Sequence, residues 1–158
     1  MLPDYHEMAD DVLDSFLRAV DAYKRGDCEG MVSALRGPST SDDSLIYAWV
    51  CGLVYVAAAA TGYLFREITP VPPGGFYGFE LLHTETGKSV SPNDSPDAAN
   101  AVAAGRMVTA AANGDDDMLI DLVAAHIPPQ GPAYRAKVVF DLIGLYAAAD
   151  ESLETQRG

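Results

Sequence analysis

The chain has 158 residues, of which 23 are acidic and 10 are basic, so its formal net charge is −13. A chain of this length forms one ordinary domain, or two very small ones, and can bury a single core. Because so acidic a surface repels nucleic acid and anionic lipid, we expect no direct binding to either. Solubility is the ordinary reason for such a charge, although a basic protein partner or mimicry of a nucleic-acid backbone would use the same surface.

The cellular compartment is indicated by the cysteines and by the first residues of the chain. Cys28 and Cys51 lie among apolar neighbours and are too few for a disulfide scaffold, which is typical of a reducing compartment. The N-terminal residues have neither the basic start nor the apolar run of a signal peptide. We therefore expect a cytoplasmic protein.

Three helices are predicted in residues 1–65, the first half of the chain. Between residues 8 and 25 apolar residues recur at three- and four-residue steps, and Gly26 ends this helix. Asp27 can cap a short second helix, which stops at Gly37. Asp42 and Asp43 then offer a cap for a long third helix.

The third predicted helix contains 22 successive residues without a charge, from residue 44 to residue 65. At helical rise this is about 33 Å, enough to cross a bilayer. However, the segment holds a run of four alanines and two glycines, and no basic cluster flanks it. A helix that is apolar on all sides is also what the centre of a bundle requires. We therefore predict a core helix and no membrane span.

Residues 66–96 interrupt the helical pattern with a linker rich in proline and glycine. Strand-forming residues follow from residue 76 to residue 82, and residues 88–90 can return antiparallel if Gly87 takes the left-handed turn position. The prediction is a small β-hairpin. Its open, aromatic edge would either fold onto the bundle or pair with another chain. The residues predicted to form such an interface are Phe76, Tyr77, Phe79 and Leu81.

Residues 97–151 repeat the helical pattern of the first half, and residues 152–158 are predicted to form a flexible tail. Several residues match at an offset of 88 positions, among them Gly26 with Gly114 and Asp27 with Asp115. The sequence therefore predicts a mostly α-helical bundle of about six helices, arranged as two similar three-helix halves. The last helix carries Lys137 and Asp141, so its counterpart in the first half is not expected to cross a membrane.

No motif in the sequence indicates catalysis, a cofactor or a metal. The Gly87-Lys88-Ser89 segment lacks the first glycine of a phosphate-binding loop, because Leu82 stands there. His6 and Asp10 lie one helical turn apart without the further ligands that a zinc site needs. The aspartate runs at residues 42–43 and 115–117 are explained by helix capping. We predict no catalytic, cofactor or metal residues.

Three functions remain compatible with the sequence. The leading one is a non-catalytic protein-interaction or structural module that acts as a homodimer or binds another protein. The second is a small-molecule-binding or enzymatic domain with its site between the two halves. Its pocket could use aromatic residues near the linker, although such residues more often form core. The third is an acidic inhibitor of phage or defence type that mimics nucleic acid.

Overall fold

The computed structural model describes residues 5–37, 39, 41–127 and 132–158, with side chains described from residue 9 and, in the last helix, from residue 137. The described chain contains six helices and no strand, so the predicted all-α bundle is confirmed. The helices are α1 (Tyr5–Lys24), α2 (Cys28–Ala34), α3 (Asp43–Ile68), α4 (Pro96–Ala112), α5 (Asp116–His126) and α6 (Pro132–Arg157).

The two longest helices, α3 and α6, form the centre of the bundle and share its most extensive helix–helix contact. Helices α1 and α4 each contact both of them, while α2 packs on α1 and α5 packs on α4 and α3. The core contains fully buried side chains from each of the four long helices, including Phe16, Val54, Met107 and Leu142. The Phe16 ring meets Tyr146 of α6 edge-on, with 5.3 Å between ring centroids, a favourable aromatic geometry.

Helix α3 is the one described helix that is long and apolar enough to cross a membrane. In this structure it contacts α1, α4, α5 and α6. One face of the helix, which includes Leu53, Val54 and Ala57, is buried in the core. The opposite face, at residues 47–48, 51–52 and 55–56, is only half-buried.

The helix ends that match at the offset of 88 have the same geometry. Gly26 and Gly114 both take left-handed backbone angles, with φ of 72° and 70°. In each turn the N–H of the following aspartate bonds to the carbonyl five residues earlier, at 2.9 Å, as in a Schellman cap. The carboxylates of Asp27 and Asp115 then accept the N–H three residues later, at 2.9 Å and 3.1 Å. The next helices differ in length, with 7 residues in α2 and 11 in α5.

The β-hairpin predicted between the halves is wrong, since the described chain has only an isolated bridge there, between Leu82 and Ser89. Gly87 does take the left-handed turn position, with φ of 69°. In this register, however, Pro92 would stand opposite Phe79, and proline has no N–H to continue a ladder. The pairing therefore stops after one bridge.

Residues 152–158, for which a tail was predicted, largely continue helix α6, which ends at Arg157. Leu153 is buried against Leu64 and Ala149 in a small second core. Arg157 also lies 3.4 Å from the Glu67 carboxylate of α3. The last turns of α6 thus extend its contact with α3.

The first prediction concerns Val54, which is fully buried on the core face of α3. We expect the native chain to purify without detergent. We expect Val54→Asp to unfold it, because burying an unpaired charge costs more than about 4 kcal/mol, most of a domain's stability. Tyr63, 60% exposed on the same helix, provides the control: Tyr63→Asp should leave the circular dichroism melt nearly unchanged. A native chain that needs detergent would contradict the core position of α3.

The second prediction compares two glycines of α3. A Cβ on Gly62 would lie 2.8 Å from the backbone nitrogen of Ala112, whereas a Cβ on Gly52 would lie 3.8 Å from Val12. Gly62→Ala should therefore destabilise the fold by about 1–3 kcal/mol through overpacking. Gly52→Ala should stabilise it by up to about 1 kcal/mol, because alanine favours helix. Equal shifts of the two denaturation midpoints would show that α3 and α4 do not approach this closely.

Candidate functional site

The linker between α3 and α4, which carries the predicted interface residues, is held against the end of α4. The side chain of Asn113 accepts the N–H of Tyr77 at 2.6 Å and donates to the Tyr77 carbonyl at 3.0 Å. The Phe79 ring covers Gly105, where a Cβ would lie 2.5 Å from the ring. The Tyr77 hydroxyl also donates to the Thr69 carbonyl at 2.6 Å. These contacts give the linker a defined position without a sheet.

Burial along the linker alternates, as in an extended chain whose successive side chains point to opposite sides. Tyr77 and Leu81 are half-buried and Phe79 is 41% exposed, whereas Phe76 is 83% and Leu82 is 54% exposed. Of the four predicted interface residues, only Phe76 therefore lies on the outer side of the linker. Leu82 joins Phe76 on the outer side, because the two lie an even number of positions apart in an extended chain. We call residues 76, 78, 80 and 82 the outer linker face.

A second candidate site is an apolar groove of about 570 Å³ between α1, α3 and α5. Its floor is the half-buried face of α3, at residues 47–48, 51–52 and 55–56. One wall is the start of α1, with Ala9 and Val12, and the other is α5, with Ile120, Val123 and Ala124. The groove thus combines elements of both predicted halves.

Small side chains and one hydrogen bond shape this groove. Ala48 and Gly52 follow each other at one helical turn on α3, so the floor is low between the rings of Tyr47 and Tyr55. The Tyr47 hydroxyl donates to the carbonyl of Ile127 at 2.8 Å, which ties the end of α5 to the start of α3. None of the described residues that line the groove is charged.

The sequence-based alternative placed a small-molecule site between the two halves, but it did not identify the residues of this groove. Of the aromatic residues predicted for a pocket near the linker (Trp49, Tyr55, Tyr63, Phe65, Phe76, Tyr77 and Phe79), Tyr55 alone is in the groove lining. The signal that could have found the groove is the pair of small residues, Ala48 and Gly52, one turn apart between the bulky residues of the first half of α3. Cys51 is also among the lining residues and is half-buried, whereas Cys28 is exposed, and the two form no disulfide.

Two half-buried titratable groups lie outside the groove lining. Burial lowers the pKa of His126, whose Nε2 lies 3.0 Å from the Asn100 side-chain oxygen. The Asn100 amide donates to the Pro96 carbonyl at 3.1 Å, so its oxygen accepts from His126. Burial also raises the pKa of the Asp141 carboxyl, an effect that Lys137, 3.8 Å away, opposes. In the described contacts His126 is paired with Asn100 and Asp141 with Lys137.

Metal binding finds no support in the part of the chain that the structure describes, where no three His, Cys, Asp or Glu side chains come together. The side chain of His6 lies outside the described residues, and Asp10 is exposed. Asp42 and Asp115, which belong to the acidic runs, accept backbone N–H groups at the starts of α3 and α5. Capping accounts for these two carboxylates.

No protein-family model, curated protein or solved structure matches the chain. Function is therefore inferred from the geometry of the chain itself. That geometry consists of a six-helix bundle with two apolar surfaces, the outer linker face and the groove. Among the described residues, neither surface gathers an acid, a base and a nucleophile.

The third prediction concerns the clamp that Asn113 makes on Tyr77. Asn113→Ala should remove both hydrogen bonds and speed amide exchange in residues 69–82, with little change in the helices, because each bond contributes only about 1 kcal/mol. Hydrogen exchange followed by mass spectrometry would measure this. Asn93→Ala, in an exposed turn of the same linker, is the matched control. Unchanged protection of residues 69–82 in Asn113→Ala would show that the clamp does not hold the linker.

Proposed function

We propose that the protein is a soluble, non-catalytic interaction module that associates with a second copy of itself through the outer linker face. The observation that supports this proposal is the exposure of Phe76, at 83%, on a backbone that Asn113 and the Phe79–Gly105 contact hold in place. An aromatic ring on a fixed backbone is a favourable anchor, because binding costs little additional ordering.

A second copy suits this surface because a two-fold axis would bring two equal faces together. Each face would then cover the Phe76 and Leu82 of the other, removing apolar surface that is exposed in the monomer. The one carboxylate on the face, Glu80, accepts the Ser89 hydroxyl at 2.5 Å. The Glu80 carboxylate would therefore keep this hydrogen-bond partner in its own chain when two faces meet.

The salt dependence of binding distinguishes association with a second copy from binding of a basic partner. Two chains of net charge −13 repel each other, and salt screens this repulsion, with a Debye length of about 8 Å at 0.15 M and about 3 Å at 1 M. Self-association through an apolar face should therefore tighten as salt increases. Binding of a basic protein to the acidic surface would weaken under the same change.

The fourth prediction tests the outer linker face by light scattering across micromolar concentrations. The native chain should be dimeric, more so at 1 M than at 0.1 M salt. Phe76→Ser/Leu82→Ser should raise the dissociation constant by about 100-fold or more, since two apolar side chains are lost from each copy. Its melting temperature as a monomer should stay unchanged, because both residues lie outside the core.

Phe79→Ser is the matched variant on the inner side of the linker. It removes the ring that covers Gly105 and should lower stability more than self-association. A native chain that remains monomeric at all these concentrations would end the proposal. A dimer that is indifferent to Phe76→Ser/Leu82→Ser would move the interface onto the helices.

A further inference from the structure

We infer that the groove between α1, α3 and α5 is a binding site for one neutral, apolar small molecule, either an uncharged alkyl-chain compound or an uncharged aromatic compound. This site shares no residue with the outer linker face, so the inference goes beyond the proposed self-association. The groove volume of about 570 Å³ falls within the range of about 300–1,000 Å³ typical of ligand sites.

The neutral character of the ligand follows from the lining. Alanine, valine, isoleucine and glycine are most of the described lining residues, and the polar groups among the described lining side chains are the Cys51 thiol and the hydroxyls of Tyr47 and Tyr55. A charged ligand would lose its hydration there without gaining an ionic partner, at a cost of several kcal/mol. The net charge of −13 opposes anions further.

The size of the groove favours a small molecule over a second copy of the chain. From Tyr47 to Tyr55 the floor extends by about 12 Å along α3, and helices pack about 10 Å apart, so the footprint is roughly 120 Å². A stable protein interface needs about 800 Å² on each partner. On the rim, Ile120 is exposed at 53%, but the floor between the tyrosine rings is too small for a protein surface of that area.

The floor also explains why the site can take up apolar atoms. Ala48 and Gly52 leave room that a larger residue would fill, and a Cβ on Gly52 would still have its nearest neighbour 3.8 Å away, at Val12. An apolar ligand in this space would cover the half-buried face of α3. The driving force would be removal of that face from water, at about 25 cal/mol for each Å².

The experiment uses the full chain and two naphthalene dyes of similar shape but different charge. Neutral N-phenyl-1-naphthylamine should bind saturably at one site per chain and gain fluorescence. The anionic 8-anilino-1-naphthalenesulfonate should bind about tenfold more weakly or worse, because its sulfonate has no cationic partner among the described lining residues. Ala48→Phe, which fills the floor, should weaken the neutral dye by about tenfold or more. Ala125→Phe, at an exposed position of α5 outside the lining, is the control and should bind like the native chain.

Cysteine labelling gives a second readout that needs no substitution. In the native chain, saturating neutral dye should slow the reaction of Cys51 with N-ethylmaleimide, while exposed Cys28 should react at an unchanged rate. Peptide mass spectrometry distinguishes the two sites. If Ala48→Phe fails to fold, this protection decides whether the dye lies in the groove.

Several results would overturn the inference. These are no saturable binding of the neutral dye, equal binding of the anionic dye, or equal protection of both cysteines. Full affinity in a folded Ala48→Phe variant would place the dye elsewhere. Dye binding that occurs only as the dimer dissociates would make the groove an interface between copies. Failure of the self-association described above leaves all these readouts intact, since the monomer contains the whole groove.

Discussion

The structure depends on one constraint, which is that α3 must remove a long uncharged surface from water. No charge occurs between residues 44 and 65, so every side of this helix favours burial. Helices α1, α4, α5 and α6 all pack on it. The close approach of α4 requires Gly62, where a side chain would collide with the backbone of Ala112. The arrangement of the other helices follows largely from this requirement.

The same constraint accounts for the groove. Four helices cover α3 incompletely, and the face of α3 at residues 47–48, 51–52 and 55–56 remains half-buried. The matched turns at Gly26 and Gly114 start α2 and α5 in the same way, yet α5 is 11 residues long and α2 only 7. The longer α5 reaches α3 and forms a wall of the groove. The greater length of α5 thus places a groove wall against α3 that the shorter α2 does not provide.

Local signals in the sequence were sufficient to predict the helices, but not to predict the outer linker face or the groove. Capping by Asp27 and Asp115 depends on neighbouring residues, so the helix starts could be predicted. The linker conformation depends on Asn113, which is 36 residues from Tyr77 in the chain, and strand propensity carries no information about such a partner. The groove depends on where α5 ends relative to α3, which periodicity within one helix cannot show. The aromatic residues of the linker led to the prediction of an interface there. The groove, in contrast, is marked by the small residues Ala48 and Gly52.

The order of the helices along the chain has a consequence for synthesis on the ribosome. Helix α3 is complete at Ile68, but its most extensive partner, α6, is complete only at Arg157. At about 5–20 residues per second, the nascent chain carries its most apolar helix without that partner for roughly 4–18 s. At the start of this interval α1 is the one completed helix that contacts α3, and α4 and α5 follow at Ala112 and His126, so chaperones and membrane-insertion machinery can compete for the same surface. The stage at which this protein is most prone to aggregate is therefore set by the distance in the chain between α3 and α6.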